Sequence, residues 1–471
     1  SNNTAVGASA LIANTTGTRN TAMGAFSLDT TTTGVDNTSI GYAAMDGNTT
    51  GDNNVAVGKS ALTANTTADN NTAVGYNALT ANTTGASNTA VGQSALGACT
   101  TGSSAVAIGK GALSTSTTQG TNVAVGFQAA QDITTTGVVA IGYQALMNSS
   151  SGYDTVAVGT NALYSNSSGN ENTAIGYQAM YSNTTGNDNV AIGNGALDAN
   201  TTASNNTAVG RSALGVNTTA SNNTALGYLA LSANTTGTRN VAMGALALDA
   251  NTTANDNTAI GYNAMSANTT GQMNVVVGTY ALDASTTGSF NVAVGRAALS
   301  TGTTASYCTA IGFQALDLNS TGDNNTAVGY AALDAATAYN NTAVGHNAGT
   351  SLSTGHSNTF LGQGAGESIT SGDTNIMIGH NVENNSAGAD SNIVIGNDIF
   401  GAGSNTVRIG TPNGSATLNL DGSDTSWAAA SDERLKKDIA DSTVGLNFIK
   451  DLRPVTFKWN SKNAIANTLP K

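Results

Sequence analysis

Asn71-Thr72-Ala73-Val74-Gly75-Tyr76-Asn77-Ala78-Leu79-Thr80-Ala81-Asn82-Thr83-Thr84-Gly85-Ala86-Ser87 is one of a long series of near-copies that occupy most of the 471 residues. The glycine that closes each Ala-Val-Gly marks the series. It falls at every seventeenth residue from Gly7 to Gly126, from Gly142 to Gly329 and from Gly345 to Gly396, with steps of 16 ending at Gly142 and Gly345. A fixed short period predicts a stacked array in which each unit covers its neighbours. Seventeen residues cannot hold a helical hairpin, and the copies carry glycine and, in most, an Asn-Thr-Thr run, all poor in helix interiors. The array therefore reads as all-β: a repetitive parallel β-solenoid or β-roll of about 24 coils.

Three residues before the marker stands Thr or Val (Thr72, Val106, Val156, Thr207), and one before it Val, Ile, Leu or Met. These two share a side of a strand and the residue between them, nearly always Ala, faces the other. So regular a small residue predicts close packing on its side as well, with both faces of the strand covered. The marker is expected to bend this strand into a second one, where it needs positive φ or close backbone approach. Ala78 and Leu79 lie on that second element and recur as Ala112/Leu113, Ala213/Leu214 and Ala298/Leu299. The expected core is thin, made of Val, Ala, Ala and Leu, and stable only as a stack. Asn82, Thr83 and their equivalents would form side-chain ladders along the rod, in a structural role that suits turn residues.

Charged residues are 9% of the chain, aromatics 5%, and the net charge is −13. A chain this polar could be disordered, but Val and Leu held at fixed phase argue against it. The acidic balance excludes a nucleic-acid footprint, and no apolar run is long enough to cross a bilayer. Cys99 and Cys308 replace Asn of other copies many coils apart, too far for a disulfide within one rod. Ser1 lies inside a repeat copy, so an N-terminal attachment region is expected before it.

The regular coils run over 1–349. Atypical terminal coils follow over 350–410, where Gly349 and Gly366 take the Leu position and Phe360, Met377 and Val394 the Ala position, predicting a changed cross-section. Asn405 to Gly410 reads as a last strand, and 411–430 as a short strand and linker. At Ser431 the composition changes sharply. The last 41 residues carry eight of the fifteen Lys and Arg against five acids, and read as a short α/β piece.

Ser431-Asp432-Glu433-Arg434-Leu435-Lys436-Lys437-Asp438-Ile439, with Leu452-Arg453-Pro454-Val455-Thr456-Phe457 behind it, resembles the opening of the intramolecular chaperone domain of phage tail fibres and tailspikes. This is the endosialidase-type or S74 peptidase family, and 431–471 reads as a truncated start of that domain. The repeats in turn resemble the head repeats of YadA-like trimeric adhesins, whose coils are shorter than 17 residues.

The resemblance implies a homotrimeric fibre whose C-terminal domain sets the register of three chains and is released by self-cleavage. Mapped here, the cut falls between Ala430 and Ser431, with Ser431 as nucleophile and Lys436 as assisting base, a one-turnover event rather than enzyme activity. The same serine reads alternatively as a helix N-cap. No cofactor is implied. The expected partners are two further copies, a host cell-surface receptor (a glycan or outer-membrane component) and other tail proteins met through the N-terminal region. The expected place is a virion tail fibre, with a bacterial surface adhesin or filament as the alternative. An ice-binding solenoid is disfavoured because Thr83 and Thr84 are adjacent instead of alternating.

Other chemistry is thin. His346, His356 and His380 fall near the end of the array and read as scattered surface histidines more readily than as a metal site shared by three chains. Gly362-Gln363-Gly364-Ala365-Gly366 is a phosphate loop only as a string, since no helix follows. An aromatic follows the marker in nine coils, from Tyr42 to Tyr330, at a spacing that favours packing over sugar stacking. No carboxylate pair is read at fixed phase, which leaves a glycosidase site unsupported. Many copies contain Asn-x-Thr, a glycan acceptor in a eukaryotic host.

Overall fold

Every Thr/Val-Ala-Val/Ile triplet forms a three-residue strand, as β-branched residues favour, from β1 (Thr4–Val6) to β22 (Thr359–Leu361). The computed structural model describes residues 2–420 and 428–429. Each strand pairs in parallel with the one a coil further on, residue for residue: Thr72 with Thr89, Ala73 with Ala90, Val74 with Val91. The two short steps keep this register, with Val123 opposite Val139 and Thr326 opposite Thr342. The omitted residue therefore comes out of the turns. The stack continues through β23 (Ile376–His380), β24 (Ile393–Asn397) and β25 (Thr406–Thr411), all parallel. There the chain reverses at Pro412-Asn413, and β26 (Gly414–Asn419) and β27 (Ala428–Ala429) close the end antiparallel. At about 4.8 Å per coil, 24 coils make a rod on the order of 110 Å long.

The two-residue alternation is as expected, but of the two faces expected to be covered only the Ala face is buried. The middle Ala of each strand (Ala73, Ala90, Ala174) is fully buried, whereas the Val or Ile beside it faces outward. The core is built of two Ala, one Leu and two Asn per coil, as in Ala73, Ala78, Leu79, Asn71 and Asn82. The physical reason is space: the Leu side chains fill most of a coil this small, and the position opposite them takes Ala in nearly every coil, with Ser39 and Val276 the exceptions among the regular ones. Nor is there a second strand. The segment after the marker is a run of turns, with Asn77 and Leu79 at φ 55° and 53°, although its backbone still bonds the next coil (Leu79 N–H to Ala95 O, 2.9 Å). Left-handed Leu is unfavourable by itself, and full burial of the side chain outweighs that cost.

Both Asn columns are buried ladders. Asn82 Nδ2 donates to Asn65 Oδ1 (3.1 Å) and to the Gly85 carbonyl (2.9 Å), and Thr83 Oγ1 donates to Thr100 O (3.1 Å). In the second ladder, Asn71 Nδ2 also donates to Gly85 O (2.9 Å) and Asn71 Oδ1 accepts from the Asn88 backbone N–H (2.9 Å). A coil interior with unpaired amides would be costly, and the ladder satisfies them one coil at a time except where it is interrupted, as at Cys99, which leaves Asn82 Oδ1 without a partner. Cys308 interrupts this second ladder: its N–H reaches Asn291 Oδ1 (2.9 Å), but its thiol offers Asn325 only a weak acceptor. Cys308→Asn is expected to complete the ladder and raise stability by about 1 kcal/mol, read as a higher thermal midpoint.

Phe360, fully buried, stands where other coils have Ala. A Cβ on Gly349 would lie 2.5 Å from its ring and one on Gly366 2.6 Å away. The two missing Leu side chains have left the room that the ring occupies. The expected change of cross-section is thus, at this coil, an exchange of volume, and the longer strands begin only at β23.

Candidate functional site

The outward face of the strands is the most distinctive surface of the rod. In all 24 coils it carries Thr, Val or Ile three before the marker and Val, Ile, Leu or Met one before it, with no charged residue anywhere. These side chains are open to solvent in the single chain: Ile175 is 38% exposed, Met243 39% and Leu361 46%. A stripe of three-residue strands along the rod is on the order of 1,000 Å², against the few hundred of the largest apolar patch on an ordinary monomer. Sequence reasoning placed these residues inside. A signal was present: a column that accepts Val, Ile, Leu and Met interchangeably is not packed against a rigid wall, while the column fixed at Ala is.

Beside this face runs the column that follows the marker. Its aromatics stack from coil to coil: Phe313 on Tyr330 (5.4 Å between centroids, 9°) and Tyr330 on His346 (4.9 Å, 11°), with Phe127 on Tyr143 (5.2 Å, 10°) further down. Lys59 lies between the Tyr42 and Tyr76 rings at 5.9 and 5.8 Å. The rings remain about half exposed, so they pack between coils and also edge the apolar face.

The three histidines are not brought together. His356 stacks on Tyr339 and meets Asp373 (3.3 Å), His380 meets Asp398 (3.2 Å), and His346 stays in the aromatic column. Among the described residues no three His, Cys, Asp or Glu are grouped to hold a metal ion. Both thiols are free and buried, and burial pushes the Cys308 thiol up to about 11. From Asn48 on, the Asn of the Asn-Thr-Thr runs are inside the coil, closed to glycan transfer in the folded rod. Gly362 to Gly366 form a marker and turns against Phe360, with no helix behind them.

A carboxylate column does exist, five residues after the marker, and went unread in the sequence. Asp29 neighbours Asp46 and Asp317 neighbours Asp334 along it, and burial lifts Asp46, Asp198, Asp249, Asp283 and Asp334 above the usual carboxylate range. For Asp46 and Asp334 the charge of the neighbouring Asp adds to the effect.

Ser431 and Lys436, with the bond after Ala430, lie outside the described residues. Residues 431–469 match the family model described as the chaperone of endosialidase, peptidase S74. A β-solenoid followed by this segment fits a tail-fibre-like protein with an S74 chaperone segment. No curated protein and no solved structure matches the chain.

Proposed function

We propose that the protein is the shaft of a homotrimeric tail fibre of a phage or phage-tail-like particle and serves in attachment to a host surface. One observation carries this: an uncharged, solvent-facing apolar stripe unbroken from the first coil to the last, ahead of an S74 chaperone segment. Three chains with their strand faces turned to a common axis would bury the stripe, and a rod is stable that way without any further partner. The outer faces then present polar columns to the host, three copies at each height, so that weak contacts add by avidity. In this reading the protein sits on the virion, joined to other tail proteins through its N-terminal side.

In this reading the segment from Ser431 aligns the three chains and is then removed. Ser431 Oγ attacks the Ala430 carbonyl carbon while Lys436 takes its proton and passes it to the departing Ser431 nitrogen. The peptide C–N bond breaks, and water hydrolyses the resulting ester to give the Ala430 carboxylate.

The test is the mass, under native and denaturing conditions, of protein expressed with the chain continued past Lys471. Trimers of chains ending at Ala430 are expected, and Ser431→Ala should give uncut chains. Replacing Ile141, Ile175 and Ile192 together by Asp should yield folded monomers, because these side chains touch no core. A wild-type monomer would sink the trimeric shaft. A trimer fixed in a bacterial envelope would move the same molecule to the surface-adhesin reading.

A further inference from the structure

On the side that carries the turns, two glycines interrupt columns that most other coils fill. Gly195 takes a place held by Gln178, Asn161 and Asn263 elsewhere, and Gly215 a place held by Thr80, Asp198 and Ser232. Falling in successive coils, they line a cavity of about 550 Å³. That volume is in the range of small-ligand sites.

The lining is specific in its chemistry. Gln178, Asn194, Asp198 and Ser212 border the cavity, and none of these side chains hydrogen-bonds to another described residue. In the same columns elsewhere some such groups pair, as Gln144 does with Gln128 (2.9 Å) and Gln314 with Asp317 (3.1 Å), while Asn161 and Asn263 likewise keep an amide oxygen without a partner. Leu229, Val216 and Ala233 supply an apolar part to the lining, and Ser232 a further hydroxyl.

Two amides, two hydroxyls and one carboxylate offer both donors and acceptors, the complement of adjacent sugar hydroxyls, while the apolar lining suits the C–H face of a pyranose. No Lys or Arg lines the cavity, and the carboxylate repels anions, so phosphates and acidic sugars are poor fits. We propose that the cavity between Gly195 and Gly215 binds a neutral glycan of one or two residues. The proposal rests on the adhesive part of the function proposed above and gives that adhesion a place on the side of the shaft.

Gly195→Gln tests it with little risk to the fold. Gly195 has φ 63°, which Gln178 shares at 53°, and a Cβ there would come no closer than 3.7 Å to Ser212 Oγ. The side chain would grow into the cavity. Saturation-transfer NMR on the full-length chain, with lactose, maltose, cellobiose and chitobiose as probes and 3′-sialyllactose as the acidic counterpart, is expected to show transfer to at least one neutral disaccharide. Transfer to the acidic one should be weaker. Gly195→Gln should weaken binding more than tenfold, and Asp198→Asn, which keeps size and shape, about tenfold. Absence of transfer to all four neutral disaccharides, or undiminished binding by Gly195→Gln, overturns the site. Assembly is read separately: a monomer that binds sugar would overturn the trimer alone, and a trimer that binds none would overturn the site alone.

Discussion

Gly210→Ala, in the middle of the array, is expected to break the rod there. Gly210 has φ 135°, and an added Cβ would lie 2.4 Å from the carbonyl oxygen of Gly227 and 2.6 Å from its carbon. Both are backbone atoms held by ladders above and below, so no rotamer change can relieve the contact. The coils would have to part locally, at a cost of ~3 kcal/mol or more. Because each coil contacts only its neighbours, the damage should stay local. Limited proteolysis should cut near residue 210 and release two resistant halves, with a lowered thermal midpoint. Gly414→Ala is the control: nothing lies within 4 Å of a Cβ there, and its melt should match the wild type. An unchanged proteolysis pattern in Gly210→Ala would show that coil spacing is looser than this packing requires.

The second large effect concerns Phe360. Phe360→Ala should cost about 3–5 kcal/mol, the range for a fully buried ring, because Gly349 and Gly366 have no side chains to fall into the space. Adding Gly349→Leu and Gly366→Leu to it should recover most of the loss. Both glycines have the left-handed φ (61° and 64°) that Leu adopts at this position in earlier coils. Either Leu in the presence of Phe360 should destabilise by about 1–3 kcal/mol through overpacking. The signature is strong non-additivity in a thermodynamic cycle followed by chemical unfolding. Additive costs would mean that the ring and the Leu positions do not share one space.

Much of this molecule is legible from one copy of the repeat. The marker glycines, the coil count and the parallel register follow from the period alone, and the Asn82 and Thr83 ladders from in-register stacking of identical side chains. The Asn71 ladder was harder to see, because an Asn before a strand reads as a turn residue until its amide is found inside the next coil. The cavity at Gly195 was illegible for a related reason. Two glycines in different columns become neighbours only when the coils are stacked.

What the sequence determined by itself is the repeat: where each coil begins, that successive coils pair residue on residue, and that a segment of different character starts at Ser431. What the tertiary structure decided is which side of each strand is inside. Alternation specifies two faces without naming the inner one, and hydrophobicity alone favours Val and Ile. The choice fell to volume. Leu79 and its equivalents, turned inward by left-handed backbone, leave room for a small side chain, Ala in nearly every regular coil and Val at Val276, so Ala73 goes in and Val74 goes out.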